Sequence, residues 1–559
     1  MSILGIFLAA VTVTISPDGT NDMTEIVMSA VDKVRSCAEG GKIIFSPGDY
    51  HFRSPQKKDW YVSNHRNPMP RDVFLPITNV VDLTLESKRA EFIFHGGGLG
   101  FALVDTENVT VKGIAFDYSR PYNTEWRLSG FEDGAVLLET DIQKFPFSTQ
   151  GGKLWNAGEC WHGQETIVVF FDPFVHDLIG MGWFDGTCKQ LSQNRVRLEV
   201  DSRKWRFMRE PLPGSVVVTR CSYRPNPAVL FYRAHSTVFE DVIVRASGGM
   251  GIIAQRCRNV TIRGSVTAAA RTAGAMARSG GGRVTSMQAD ATHFSNCKGL
   301  MRVENCYFEG MVDDAINVHS TCLKIEEVKD LNKLFCRYMH HESFGFETFL
   351  PGERLRFISV KPFEPGAETT VKSVKWHGDT LIELELTDPI PTKYGVGDAV
   401  ENASWQPSVI FSNNIVARSN PRATLFTTPG KVLCESNLFE RVAGQPIHLS
   451  ADAADWYESG ACRDITVRGN VFKNCFTRYN GGKRGLITIN PNIVDVESQR
   501  ERYHRNILVE DNVFDCGDIP LVWARSVSNF VWRANSVSRP ANAKTKAFIF
   551  EHSEEINLK

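Results

Sequence analysis

Short apolar runs broken by one small or amide residue recur along most of the chain. The pattern occurs at Val111-Lys-Gly-Ile-Ala-Phe116, Phe239-Glu-Asp-Val-Ile-Val244, Ile262-Arg-Gly-Ser-Val-Thr267 and Val303-Glu-Asn-Cys-Tyr-Phe308. It returns at Phe411-Ser-Asn-Asn-Ile-Val416, Cys434-Glu-Ser-Asn-Leu-Phe439, Val467-Arg-Gly-Asn-Val-Phe472, Val509-Glu-Asp-Asn-Val-Phe514 and Trp532-Arg-Ala-Asn-Ser-Val537. Phe239 and Ile262, Phe411 and Cys434, and Val509 and Trp532 are each 23 residues apart. Strand, polar corner, strand at that repeat predicts an all-β chain wound as a right-handed parallel β-helix, in which corner asparagines hydrogen-bond from coil to coil. Leucine-rich repeats need a dense leucine pattern that is absent, and propeller blades need a longer period. Ahead of the coils, Met23 to Val34 has helical spacing, with Ile26, Val27, Ala30, Val31 and Val34 on one face. One amphipathic helix there predicts a cap over the open end of the solenoid.

Two gaps interrupt the period, between Val111 and Phe239 and between Val303 and Phe411. Both are filled by short strand patterns with turn signals, among them Thr166-Ile-Val-Val-Phe-Phe171 and Thr380-Leu-Ile-Glu-Leu-Glu-Leu386. They predict two small inserted β-barrels. The expected division is a cap with first coils over 11–117, a barrel over 118–235, coils over 236–320, a second barrel over 321–405 and final coils over 406–559.

The formal net charge of −1 gives no basic footprint for nucleic acid. Thirteen cysteines lie singly, without CxxC pairs, which argues against zinc and for buried thiols. The first ten residues resemble the tail of a secretory signal without its basic start, and a first buried strand reads equally well. On the first alternative the protein is secreted, periplasmic or on the bacterial cell surface. No stretch reaches the roughly 18 apolar residues of a membrane span.

Within the coils, Gly310-Met-Val-Asp-Asp-Ala-Ile-Asn-Val-His-Ser320 places two carboxylates where sibling segments carry turn residues. If Ile316 and Val318 face a core, period 2 sends Asp313, Ala315, Asn317 and His319 to the opposite face and leaves Asp314 exposed at the strand entrance. The segment Ala289-Asp290-Ala-Thr-His293-Phe294 aligns on Asp313 to Val318 without gaps, so Asp290 stacks on Asp314 one coil away. Three carboxylates on coils about 4.8 Å apart repel, which raises at least one pKa. That suits glycoside hydrolysis, with Asp313 as general acid and Asp314, helped by Asp290, positioning water. Asn317, His319 and His293 flank the acids. Arg278 and Arg283, on a glycine-rich stretch, are expected to hold sugar hydroxyls or lower a carboxylate pKa. The second insertion is expected to bring His341, Glu342 and Phe344 over the Asp313 surface. Trp456 and the inserted Trp155, Trp161 and Trp183 are candidate sugar platforms, though most suit a barrel core better. Rival functions are a polysaccharide lyase, a polygalacturonase-like hydrolase and a non-catalytic glycan-binding solenoid.

Asp313-Asp-Ala-Ile-Asn-Val-His319, with Ala289-Asp-Ala-Thr-His-Phe294 and Glu304-Asn-Cys-Tyr-Phe-Glu-Gly-Met311, resembles glycoside hydrolase family 110. Weaker support comes from Ser63-Asn-His65, Phe116-Asp-Tyr-Ser-Arg-Pro121 and Met339-His-His-Glu-Ser-Phe-Gly-Phe346. The resemblance spans Thr12 to the C-terminal coils. It implies an exo-acting α-1,3-galactosidase that releases terminal galactose with inversion, from ends such as blood group B and linear Galα1-3Gal, without a metal or other cofactor. It puts the catalytic aspartates on Asp313 and Asp314, with Asp290 a further active-site carboxylate. Ser320 stands where family members often have glycine.

Overall fold

A computed structural model describes residues 10–66, 69–159, 161–184, 187–199, 205–207, 210–268, 283–476 and 482–559. Most of the signal-like start, and Arg278, lie outside the described residues.

All nine occurrences of the repeat stack in a single column. Val111 pairs with Phe239, Phe239 with Ile262, Ile262 with Val303 and Val303 with Phe411. The column continues through Cys434, Val467, Val509 and Trp532, all in parallel register. Each of these side chains is buried. The coil therefore continues across both insertions, which leave the solenoid and re-enter it in register.

Along the corner next to this column the amides of Asn414, Asn437, Asn470, Asn512 and Asn535 form a ladder, with Nδ2 to Oδ1 distances of 3.1, 2.9, 3.0 and 2.9 Å. The second Nδ2 proton of Asn437, Asn470 and Asn512 goes to a backbone carbonyl of an earlier coil. Each Oδ1 in turn accepts a backbone N–H. Amides inside a dry core are tolerated because every donor and acceptor finds a partner. Beside them Phe439, Phe472, Phe514 and Trp532 stack ring on ring, 4.6 to 5.1 Å between centroids.

The capping helix, α1, is Thr24–Arg35 and buries Val27, Ala30, Val31 and Val34. Ile26, expected on that face, is 47% exposed, since the i, i+3, i+4, i+7 set starting at Val27 already fills the stripe. Among the described residues no helix is long and apolar enough to cross a membrane. No disulfide joins the described cysteines, and all but Cys37 are buried.

The first insertion forms an eight-stranded antiparallel sheet and a three-stranded one; its larger sheet runs open among the described residues. The second is a closed six-stranded antiparallel barrel. Its core includes Leu323, Ile325, Leu334, Leu355, Phe357 and Val400.

A second parallel sheet of the solenoid carries the functional residues. Its relevant strands are β1 (Ile252–Gln255), β2 (Thr292–Ser295), β3 (Ile316–Asp330), β4 (Thr424–Phe426) and β5 (Ile447–Leu449). β3 is 15 residues long: it begins in the solenoid, pairing with β2 and β4, and ends in the barrel. No loop separates the two.

Candidate active site

The β2–β3 register pairs His293 with Asn317 and Ser295 with His319, so Asp290 stacks on Asp314 as the 24-residue offset requires. The Asp314 backbone N–H donates to Asp290 Oδ1 at 3.2 Å, and the Ala291 N–H donates to the Asp314 carbonyl at 2.8 Å. Two expectations fail here. Ala315 is wholly buried in the solenoid core, and Asp314 is fully buried rather than exposed, while Asp313 keeps 18% side-chain exposure. The cause is the next coil. Thr424 pairs with Ile316, which lays Arg422 over Asp314 and closes the strand entrance.

Arg422 donates from Nε to Asp314 Oδ1 at 2.8 Å and from Nη2 to Asp313 Oδ1 at 3.4 Å. Arg224, from the end of the first insertion, donates to Asp313 Oδ2 at 3.0 Å and lies 3.7 Å from Glu342 Oε2. Sequence reasoning missed both arginines. One oxygen of each of Asp290, Asp313 and Asp314 lies within 4.8 Å of the others, close enough to share a cation. The two guanidiniums already supply positive charge there.

Burial pushes all three carboxyls up, Asp314 furthest. The charge of Asp290 raises Asp313 further, whereas Arg422 and Arg224 oppose the shift. Three acids crowded in a largely buried site resist ionising together, which favours holding a proton within the cluster. Asp314 Oδ2, Asn317 Oδ1 and Glu342 Oε2 are buried without a hydrogen-bond partner. Buried acceptors left open are costly unless a ligand fills them, and sugar hydroxyls supply the donors.

The remaining expected residues divide. His293 and His319 belong to the cluster: His293 Nδ1 is 2.7 Å from Asp290 Oδ2, and the two Nε2 atoms are 2.8 Å apart. Glu458, not singled out in the sequence, lies 3.4 Å from His319 Nε2 and accepts from Asn64 Nδ2 at 3.0 Å. Arg283 does not reach the acids. It is buried in a two-pronged pair with Asp117, 2.7 and 3.1 Å, because that carboxylate is its nearer partner. Glu342 joins through Arg224, but His341 and Phe344 line a separate cavity of about 720 Å³ with Tyr61 and Trp376. The one-turn 3₁₀ helix His341–Ser343 points successive side chains to different sides. Trp456 is 37% exposed, stacks on His340 at 4.2 Å and sits 5.8 Å from the Arg224 guanidinium, leaving it placed as a sugar platform. Trp161 instead packs on Tyr122 at 4.7 Å, Trp155 packs on His162 and Trp183 is exposed.

A parallel β-helix that gathers three pressed carboxyls, two guanidiniums and open acceptors beside an exposed indole defines a carbohydrate-active enzyme of the solenoid class. The family model for GLAA-B β-barrel domain II matches residues 333–400. The α-1,3-galactosidase B of Akkermansia muciniphila is 37% identical over 529 residues, covering 93% of this chain and 65% of that protein. The α-1,3-galactosidase B of Phocaeicola vulgatus is 31% identical over 556 residues, covering 93% and 88%. Among solved structures, the family 28 exopolygalacturonase of Yersinia enterocolitica aligns at a TM-score of 0.45 and 11% identity, over 98% of this chain and 79% of that one. The chain belongs to the α-1,3-galactosidases of glycoside hydrolase family 110. It spans about two thirds of the Akkermansia relative and most of the Phocaeicola one.

Proposed function

We propose that the protein is an exo-acting hydrolase that removes terminal α-1,3-linked galactose from oligosaccharides and glycoconjugates, branched group B ends and linear Galα1-3Gal alike, outside the bacterial cytoplasm. Relatives named α-1,3-galactosidase support the linkage. The observation that carries the chemistry is the Asp290, Asp313 and Asp314 cluster with its two arginines. Asp313, the most exposed of the three, holds a proton and gives it to the leaving glycosidic oxygen. Asp314, which the Arg422 guanidinium holds towards its ionised form against the burial that raises it, takes a proton from the attacking water with Asp290 beside it. Asn317 and Glu342 accept hydroxyl hydrogens of the galactose, and a substrate lacking those hydroxyls is rejected because the acceptors stay unpaired.

Inversion is the expected stereochemistry for water attack in one step. The compactness of the cluster favours a second reading. Carboxylate oxygens within 4.8 Å of one another lie just under the roughly 5–5.5 Å of retaining pairs and well short of the roughly 6.5–9.5 Å of inverting ones. Proton NMR of the first product separates them, β-galactose marking inversion and α-galactose marking retention. Cleavage of neither the group B trisaccharide nor Galα1-3Gal overturns the proposed activity.

A further inference from the structure

Four contacts link Asp290, His293, His319 and their neighbours, branching at His319 Nε2, which faces both His293 and Glu458. Asp290 Oδ2 meets His293 Nδ1 at 2.7 Å, His293 Nε2 meets His319 Nε2 at 2.8 Å, and His319 Nδ1 meets the Ser320 carbonyl at 3.1 Å. At the far end Glu458 Oε1 lies 3.4 Å from His319 Nε2. Both imidazoles and Asp290 are buried, so water does not supply alternative partners.

These contacts fix a proton count. A carbonyl only accepts, so His319 Nδ1 carries a hydrogen. Two ring nitrogens facing each other at 2.8 Å share one hydrogen, and so do His293 Nδ1 and Asp290 Oδ2. Three hydrogens are needed, whereas two neutral imidazoles and an ionised aspartate hold two. We propose that Asp290, His293 and His319 hold one extra, mobile proton and form a relay from the catalytic carboxylates to Glu458. The three sites the proton can occupy, Asp290 Oδ2, His293 and His319, all keep every hydrogen bond. Burial raises Asp290 and lowers His293 well below its ordinary value, which favours the site on Asp290 over that on His293.

The groups facing the relay suit this assignment. Asp290 is faced by Asp313 and Asp314 as well as by Arg224 and Arg422, His293 by Asp313, Arg224 and His65, and His319 by Glu458. A relay that is neutral as a whole adds no further charge to that crowd. Its use rests on the hydrolytic function proposed above. In turnover the water O–H breaks as its oxygen bonds to the anomeric carbon, the glycosidic C–O bond breaks, and Asp313 protonates the leaving oxygen. Asp314 is left with one proton too many. A water between the carboxylates, which lie within 4.8 Å of each other, carries that proton from Asp314 to Asp290. The Oδ2 proton moves through His293 and His319 to Glu458 and solvent. The Asp290 carboxyl and the imidazoles then turn back to restore the starting arrangement, and Asp313 regains a proton from solvent. Atoms and charge balance without a cofactor.

Nitrogen-15 NMR of histidine-labelled protein, assigned with His293→Gln and His319→Gln, tests the count without any turnover. The expected result is His319 protonated on Nδ1 at neutral pH; a bare Nδ1 overturns the proposal. For the relay, His319→Gln is the informative variant. Its amide still donates to His293 Nε2, but His293 then donates to an ionised Asp290 and the extra proton is gone. On a short α-1,3-galactoside, kcat is expected to fall about tenfold, less than the roughly 10²–10⁴ of a group that transfers the proton in the chemical step, because the relay only resets it, with KM changed less than twofold. The dependence of kcat on deuterium fraction, curved for several protons in flight in the wild type, is expected to become linear. Curvature kept in His319→Gln overturns the relay. Should that variant fail to fold, Glu458→Gln tests the far end, with a smaller loss of kcat expected and an unchanged kcat overturning it. Wild type inactive on the galactoside sinks the hydrolase proposal but leaves the NMR result to decide the proton count.

Discussion

Two polar ladders run along this solenoid, and they are built on opposite principles. From Asn414 to Asn535 the amides are identical, neutral and satisfied at every atom. The ladder of Asp290, Asp314 and Arg422 occupies one position on three successive coils of the other sheet, yet it is charged, mismatched and open at Asp314 Oδ2. A closed ladder contributes stability and holds register. An open one stores unmet hydrogen-bonding capacity that only a ligand can fill. The comparison separates structure from chemistry inside a single fold.

The sharpest way to break it is at the charged ladder. Asp313→Asn is expected to lower kcat by two to four orders of magnitude, roughly the share of one general acid, with an unchanged melting temperature. The loss should shrink on a nitrophenyl α-galactoside, whose leaving oxygen needs little protonation; an equal loss on both substrates would move the acid role elsewhere. Arg422→Met comes next. It removes the donor to both Asp313 and Asp314 and is expected to cost about a hundredfold in kcat/KM, in line with deleting one electrostatic contact at a reacting centre. Asp290→Asn sharpens the electrostatics. Burial raises Asp313, and Asp290 raises it further whenever the relay proton has left it; an amide there never carries that charge, so the pKa of the acid falls. An acid works only while protonated, and the alkaline limb of the pH–rate profile is therefore expected at lower pH; a limb that stays or rises would contradict the assignment. The smallest effect on activity is expected at the neutral ladder. Asn470→Ala strands the neighbouring amides and is expected to cost about 1–3 kcal/mol in denaturant unfolding while kcat stays within twofold.

How much of this the sequence displayed depends on how locally each feature is encoded. The column from Val111 to Trp532 and the Asn ladder are written in one short repeat, so period alone locates them. Asp290, Asp313, Asp314, His293 and His319 come from two consecutive coils and were legible through their alignment. Arg422 had a signal that went unused: extended over the second insertion, the same alignment sets Arg422-Ala-Thr-Leu-Phe426 on Asp314-Ala-Ile-Asn-Val318. Arg224 had none, since the path of an insertion brings it back, 89 residues from Asp313. Glu458 arrives the same way, on a loop whose strand pairs antiparallel with Ser320 and Thr321. Arg283 misled because charge and proximity in sequence do not say which carboxylate is nearer in space. The burial of Asp314 was invisible for a related reason, as the coil that covers it lies 108 residues on.

The continuity of β3 has an evolutionary consequence. Insertions are ordinarily accepted at loop tips, where lengthening or exchange leaves the host undisturbed. Here the junction is a hydrogen-bonded strand, with Asn317 and His319 only a few residues from Leu323 and Ile325 in the barrel core. Grafting a relative's barrel onto this solenoid must therefore be spliced within a ladder, where a one-residue slip turns every side chain to the wrong face. The barrel and the catalytic coil are bound to be inherited together, as one unit of descent.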